Sequence, residues 1–152
     1  EMFALGHAYG TDQHGLSTNT LVLFSSANGP EEIFVANAGH SGVGSPGPFR
    51  GRKRSLYEGG VRVPFLVRWP AVTPPGRIDD DTILSGVDLL PSLCKLAGVD
   101  APPGLDGEDL SQSLVGQTLE RRKPLMWQWR FNVAGPVWNI SSCSAGLGPS
   151  AG

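Results

Sequence analysis

Residues 49–64 read FRGRKRSLYEGGVRVP, and this stretch decides how the rest of the chain is interpreted. Four cations fall in the five residues from Arg50 to Arg54, and a glycine pair and an extended run follow them. Fixed positive charge beside a strand stabilises a small oxyanion, most strongly where water is excluded. On charge alone, the alternative is a solvated charge run or a nuclear-localisation-like patch.

The composition is that of one loop-rich domain. The chain has 152 residues, of which 39% are hydrophobic, and it contains 21 glycines and 13 prolines. This length suits about one domain, and the glycine and proline content predicts many turns. The net charge is −2, so the basic cluster is local, which argues against a nucleic-acid partner. No apolar run approaches the roughly 20 residues that a membrane-spanning helix needs, so no membrane span is expected.

Short apolar runs separated by turns predict an α/β fold. Residues 20–24 (TLVLF) are apolar and rich in branched side chains, which is typical of a buried strand in a parallel sheet. Further strands are expected at residues 61–69 and 121–130. Residues 89–97 carry leucines at helical spacing, and Asp88 is expected to cap that helix.

A polar turn, SSANGP at residues 25–30, follows the first predicted strand. In open α/β sheets, ligands collect where strands end at their carboxyl edge. The amide carbonyl of Asn28 is an oxygen ligand of the kind that Ca²⁺ accepts. The alternative for Asn28 is an ordinary Asn-Gly turn. The three aspartates at residues 79–81 are expected to form a solvated acidic turn.

Residues 50–64 resemble the loop R-G-x-K-x-[ST]-x-[YW]-E-G-G-x-R-x-P of the sulfatase family. The resemblance implies that Lys53 is the catalytic lysine that binds the substrate's sulfate. It also implies that residues 58–60 shape a turn, which suits glycine because glycine adopts positive φ angles. Arg52 and Arg54 are expected to be solvated; the alternative is that they add to the positive field that holds the anion. The implied fold is a fragment of an alkaline-phosphatase-like sandwich, with a mainly parallel sheet flanked by helices.

The turn at residues 26–29 also resembles the family, with one departure. Sulfatases have S-D-N-G here, and this chain has S-A-N-G. The resemblance implies that Asn28 is a calcium ligand, whereas Ala27 stands where the ligand aspartate belongs. Because alanine supplies no oxygen and removes a negative charge, we expect a weakened Ca²⁺ site. His40, in the glycine-rich loop before Lys53, is a candidate substrate-binding residue; a structural or exposed histidine is its alternative.

The likeness covers roughly residues 15–140, which corresponds to the later part of a sulfatase. Residues 1–140 are therefore interpreted as the C-terminal portion of a catalytic domain, and residues 141–152 as an irregular tail. The family's nucleophile motif, C/S-x-P-x-R, is missing, since neither Cys94 nor Cys143 stands in it. We therefore expect the isolated chain to be inactive.

Three functional hypotheses follow from these residues. The first is a fragment of a sulfuric ester hydrolase that acts on a sulfated small molecule or glycan. The second is a phosphate or phosphonate ester hydrolase of the same superfamily. The third is an inactive pseudoenzyme or decayed gene product, which Ala27 and the unusual tail favour. The family suggests a periplasmic, extracellular or lysosomal location.

Overall fold

The computed structural model describes residues 9–31 and 42–128. The chain divides into two compact units, which are described separately below. The first comprises Glu1–Phe24 and Leu66–Pro124, and the second comprises Ser25–Phe65 and Leu125–Gly152. The predictions for His40 and for the tail lie outside the described residues.

Two short strands form a two-stranded sheet. Strand β1 spans Val22–Ser25 and strand β2 spans Phe65–Arg68. At one end, the Ser25 hydroxyl donates to the carbonyl just before β2 at 3.0 Å. At the other end, the indole of Trp69 donates to the carbonyl of Thr18 at 3.2 Å. The end of β1 thus meets the start of β2, and the strands are antiparallel.

The expectation of a mainly parallel sheet is therefore wrong for these two strands. A parallel pair needs a connection that returns the chain to the end where the first strand began. Here the connection, residues 26–64, returns it to the end where β1 finishes. A short apolar run does not reveal which direction its neighbour takes, because its pattern is the same in both orientations.

Three α-helices lie among the described residues, together with a helical stretch at residues 9–13 and a 3-10 helix at Ser17–Asn19. The three α-helices are α1 (Glu58–Val61), α2 (Gly86–Leu96) and α3 (Ser111–Leu114). The predicted strand at residues 121–130 is not found in its described part, residues 121–128.

Helix α2 begins earlier than the sequence pattern indicated. Its N-cap is Ser85, and Asp88 is the third helical residue of a capping box. The Asp88 carboxylate accepts the backbone N–H of Ser85 at 2.8 Å. The prediction that Asp88 is the cap itself is wrong, because the Ser-x-x-Asp spacing uses both side chains to satisfy the free amides of the first turn.

Asp88 is also the most buried charge in the described part of the first unit. Its side chain is 0% exposed and forms an ion pair with Arg121, whose side chain is 7% exposed. Arg121 Nη2 donates to Asp88 Oδ1 at 3.0 Å, and the backbone N–H of Glu108 donates to the same oxygen at 3.0 Å. The carboxylate therefore ties α2 to two segments that are distant in sequence.

Asp79 is a second structural carboxylate of the first unit. It accepts hydrogen bonds from the backbone N–H and the hydroxyl of Thr82 and from Arg77. Burial acts to raise the pKa of Asp79, but these hydrogen bonds outweigh it and lower the pKa to about 2. The expectation of a solvated turn holds for Asp80 and Asp81, which are exposed, and is wrong for Asp79.

In the second unit, glycine backbones join two loops. The N–H of Gly29 donates to the carbonyl of Gly60 at 2.8 Å, and the N–H of Lys53 donates to the carbonyl of Pro30 at 2.9 Å. A Cβ on Gly29 would lie 1.8 Å from the carbonyl oxygen of Gly59, which is closer than any real contact. The turn that contains Asn28 is therefore fixed directly against the Lys53 loop.

Helix α1 explains the glycine pair of the central stretch. Gly59 and Gly60 are buried within a single helical turn. Their Cβ atoms would lie 2.2 Å from the carbonyl oxygens of Gly51 and Ser55, respectively. Neither residue has a positive φ angle. Glycine is thus required here because the backbones touch, and the expected explanation from positive φ angles is wrong.

We predict that Arg121→Met destabilises the first unit by about 3–5 kcal/mol, because it leaves a buried carboxylate without its cation. Arg122→Met is the matched control. Arg122 is exposed, so that change should stay within about 0.5 kcal/mol. Urea unfolding measures both values. Equal losses for the two variants would show that the Asp88 pair does not hold this unit together.

We predict that Gly29→Ala separates the Asn28 turn from the Lys53 loop, because the new methyl group collides with backbone. The amide proton of Lys53, which donates to Pro30, should then exchange with solvent at least about tenfold faster. Gly86→Ala is the control, since a Cβ at Gly86 meets nothing within 4 Å. Unchanged exchange in Gly29→Ala would contradict the proposed tight contact.

Candidate functional site

The Lys53 amine lies against a carboxylate of the neighbouring turn. Lys53 Nζ is 3.3 Å from Glu31 Oε2. The lysine side chain is 41% exposed, whereas that of Glu31 is only 11% exposed. Lys53 thus keeps one side open to solvent while its position is set by Glu31. The sequence alone does not predict this pairing, because nothing in the local pattern links Glu31 to a lysine in another loop.

Arg54 binds the same carboxylate as Lys53. Its Nη1 lies 3.1 Å from Glu31 Oε1, and its Nη2 lies 3.4 Å from Glu31 Oε2. Arg54 has φ +73°, which is a strained conformation for a residue with a side chain. The expectation that Arg54 is solvated is wrong, because a nearly buried carboxylate needs charged partners.

Arg52 is also held by backbone acceptors. Its Nε donates to the carbonyl of Glu31 at 2.8 Å, and its Nη2 donates to the carbonyl of Gly44 at 2.9 Å. A longer contact of 3.3 Å reaches the carbonyl of Val43. The expectation that Arg52 is solvated is therefore wrong as well. Its guanidinium braces the loop that leads to Lys53.

The two outer arginines of the stretch stack on aromatic rings. The Arg50 guanidinium lies 4.0 Å from the centroid of the Tyr57 ring, and that of Arg62 lies 4.7 Å from the Phe49 ring. Arg62 also forms an exposed ion pair with Glu58 at 3.4 Å. The cations of the stretch therefore have two different environments: three are directed to Glu31 and two cover aromatic rings.

Asn28 lies in a hydrogen-bonded turn that borders an open groove. The Ser26 hydroxyl donates to the Asn28 carbonyl at 2.8 Å, which closes the turn. The groove has a volume of about 640 Å³, and Asn28, Phe49 and Arg62 are among its lining residues. Lys53 does not line this groove. The backbone joins the two predicted site loops, while their side chains reach different surroundings.

The described residues do not by themselves fit a calcium ion. Ala27 is exposed and supplies no side-chain oxygen. The carboxylate of Glu31 in the same turn is engaged by Lys53 and Arg54. No group of three or more His, Cys, Asp or Glu side chains in the described parts of the chain could hold a metal ion. Asn28 therefore remains a single candidate ligand.

Two other predictions concern regions that bear less directly on the site. His40 lies outside the described residues, so its predicted role in substrate binding remains a prediction. Within residues 9–31 and 42–128, no helix has both the length and the apolar character that crossing a membrane requires.

A family comparison matches the central stretch and the chain that follows it. The family described as "N-sulphoglucosamine sulphohydrolase, C-terminal" matches residues 49–136, more than half of the chain. The match begins one residue before Arg50 and so includes the whole Lys53 loop.

Similar proteins are sulfatases. Steryl-sulfatase of Rattus norvegicus is 34% identical over 150 residues, covering 90% of this chain and 26% of the relative. Arylsulfatase A of Homo sapiens is 41% identical over 114 residues, covering 74% of this chain and 21% of the relative. N-acetylgalactosamine-6-O-sulfatase of Bacteroides thetaiotaomicron is 32% identical over 126 residues, covering 77% of this chain and 24% of the relative.

A solved structure agrees with these relatives. It comes from work on the metabolism of multiple glycosaminoglycans by Bacteroides thetaiotaomicron, and it superposes with a TM-score of 0.64 at 31% identity. The alignment covers 80% of this chain and 26% of the solved chain. The chain thus spans about a quarter of the length of the relatives it matches. These matches confirm the resemblance seen in residues 50–64, and the chain belongs to the sulfatase family.

Proposed function

We propose that this chain supplies the sulfate-binding lysine loop of a sulfuric ester hydrolase. One observation carries the proposal: the Lys53 loop is fixed by backbone hydrogen bonds against the Asn28 turn, in a chain of the sulfatase family. The activity of a whole sulfatase belongs to this proposal, because the chain spans about a quarter of its relatives.

The contact between Lys53 and Glu31 supports oxyanion binding at this amine. A carboxylate presents two oxygens that share one negative charge, and one edge of a sulfate group is similar. An ammonium group donates strong, charge-assisted hydrogen bonds to such oxygens. Lys53 would hold a sulfate oxygen of the substrate and offset the negative charge that develops as the ester bond breaks.

The proposed substrate is a sulfated small molecule or a sulfated glycan. Two of the relatives are named for a steryl and an N-acetylgalactosamine substrate. The described residues of this chain include no feature that selects between these classes. The groove beside Asn28 has room for part of such a molecule.

A non-catalytic product is the second candidate, and Ala27 favours it. The C/S-x-P-x-R motif is missing from the 152 residues, so we expect no ester hydrolysis from the chain alone. Under this second hypothesis, the Lys53 loop keeps its shape while the metal site has lost its carboxylate. Calcium binding through Asn28 is therefore proposed only in weakened form.

We predict that Lys53→Gln weakens binding of inorganic sulfate to this chain by about tenfold, because a charge-assisted hydrogen bond is lost. The chain has three lysines, Lys53, Lys95 and Lys123, so NMR of ¹³C-methylated lysines resolves each amine during a sulfate titration. Lys95→Gln, an exposed change on α2, is the control. If sulfate moves no Lys53 signal, or if both variants bind it like the parent, Lys53 is not the sulfate ligand.

We predict that Ala27→Asp increases Ca²⁺ affinity by about tenfold or more, because it adds a carboxylate next to the Asn28 amide. Ala71→Asp adds the same charge at an exposed site of the first unit and should leave Ca²⁺ binding unchanged. Isothermal titration calorimetry with CaCl₂ measures the Ca²⁺ affinity of the parent chain and of both variants. Equal affinities for the two variants would mean that Asn28 takes no part in a calcium site.

A further inference from the structure

We propose that Glu31 is a positioning residue that holds Lys53 and Arg54 together as one two-cation clamp for an oxyanion. This inference rests on the proposed role of Lys53 in sulfate binding. It adds two residues, Glu31 and Arg54, to which the sequence motif gave no part in that role.

The contacts of the Glu31 carboxylate show how the clamp is arranged. Lys53 Nζ is 3.3 Å from Oε2, while the Arg54 guanidinium faces both oxygens, at 3.1 Å from Oε1 and 3.4 Å from Oε2. The two cationic groups thus lie beside one another on a single anion. The two oxygens of the Glu31 carboxylate bridge them.

The backbone explains why neighbouring side chains converge. Lys53 and Arg54 are the two central residues of a turn, which the Ser55 N–H closes by donating to the Arg52 carbonyl at 3.1 Å. Arg54 has φ +73°, a value that type II turns require at this position and that non-glycine residues rarely adopt. The two-point contact of the Arg54 guanidinium with Glu31 offsets that strain locally.

Glu31 is itself fixed from more than one direction. Arg52 Nε donates to its carbonyl oxygen at 2.8 Å. The residue before it, Pro30, accepts the backbone N–H of Lys53 at 2.9 Å. Because its side chain is only 11% exposed, water competes weakly for its charge. A fixed carboxylate of this kind sets where the two cations lie before any ligand arrives.

The charges around Glu31 favour a role in positioning Lys53 and Arg54 over a role in merely neutralising them. Lys53 and Arg54 are adjacent like charges, and without an anion between them they would separate. Lys53 remains 41% exposed and Arg54 29% exposed, so each keeps a face open to an incoming anion. The competing idea is that Glu31 blocks the site and that sulfate must displace it. The two ideas predict opposite effects of removing the carboxylate charge.

The test compares Glu31→Gln with the parent chain. Glu58→Gln is the matched control, since Glu58 also pairs with an arginine of the same stretch but is 62% exposed. The first measurement is the mobility of the ¹³C-methylated Lys53 side chain by NMR relaxation, with no anion present. The second is the dissociation constant of inorganic sulfate, for both variants, for Lys53→Gln and for the double variant Glu31→Gln/Lys53→Gln.

We expect Glu31→Gln to release the Lys53 side chain and to weaken sulfate binding by about fivefold, while Glu58→Gln changes neither. In the Lys53→Gln background, Glu31→Gln should have a clearly smaller effect, because Glu31 then positions only Arg54. A purely structural role would weaken binding equally in both backgrounds and would overturn the proposal. Tighter sulfate binding by Glu31→Gln would also overturn it, by showing that Glu31 competes with the anion.

These outcomes separate this inference from the proposed function. If the parent chain binds no sulfate, the proposed function fails, whatever Glu31 does to Lys53. If the parent binds sulfate through Lys53 but Glu31→Gln leaves both mobility and affinity unchanged, the proposed function survives and the positioning role is refuted.

Discussion

The second unit depends on one contact, in which glycine backbones lie against each other without side chains between them. The Gly29 amide bonds to the Gly60 carbonyl, and a Cβ on Gly29 would overlap the carbonyl oxygen of Gly59. Close packing leaves no room for a methyl group at such a point. This contact places the Asn28 turn beside the Lys53 loop. The proposed site exists only because two loops that are far apart in sequence are held at this distance.

Each unit also relies on a carboxylate with little exposure to water. Asp88 in the first unit is fully buried and binds Arg121, and it receives backbone donors as well. Glu31 in the second unit receives Lys53 and Arg54. Removing a charge from water is unfavourable unless its hydrogen bonds are replaced. Both carboxylates therefore gather cations and order the segments that carry them, but only that of Glu31 lies next to an open surface.

The predictions from the sequence are confirmed where a local pattern of residues carries the information. The spacing of residues 50–64 identified the family, and the leucine pattern of residues 89–97 located the helix that became α2. The predictions are wrong for contacts between segments that are distant in sequence, because no local pattern indicates such contacts. Arg52 and Arg54 were expected in solvent because a run of cations is usually solvated. The N-cap of α2 was predicted at Asp88 although it is Ser85, because both residue types are favoured at the start of a helix.

The sequence by itself determined the family, the lysine loop, the missing aspartate at Ala27 and the approximate positions of α2 and of the first two strands. These features depend on residues that are close together in sequence, so their types and spacing can be recognised within one segment. Tertiary structure alone decided that β1 and β2 are antiparallel, that Asp88 pairs with a residue 33 positions away and that Glu31 pairs with one 23 positions away. The physical reason is that charge pairing and strand direction depend on which segments meet in space, and burial strengthens those pairings only after the chain has folded.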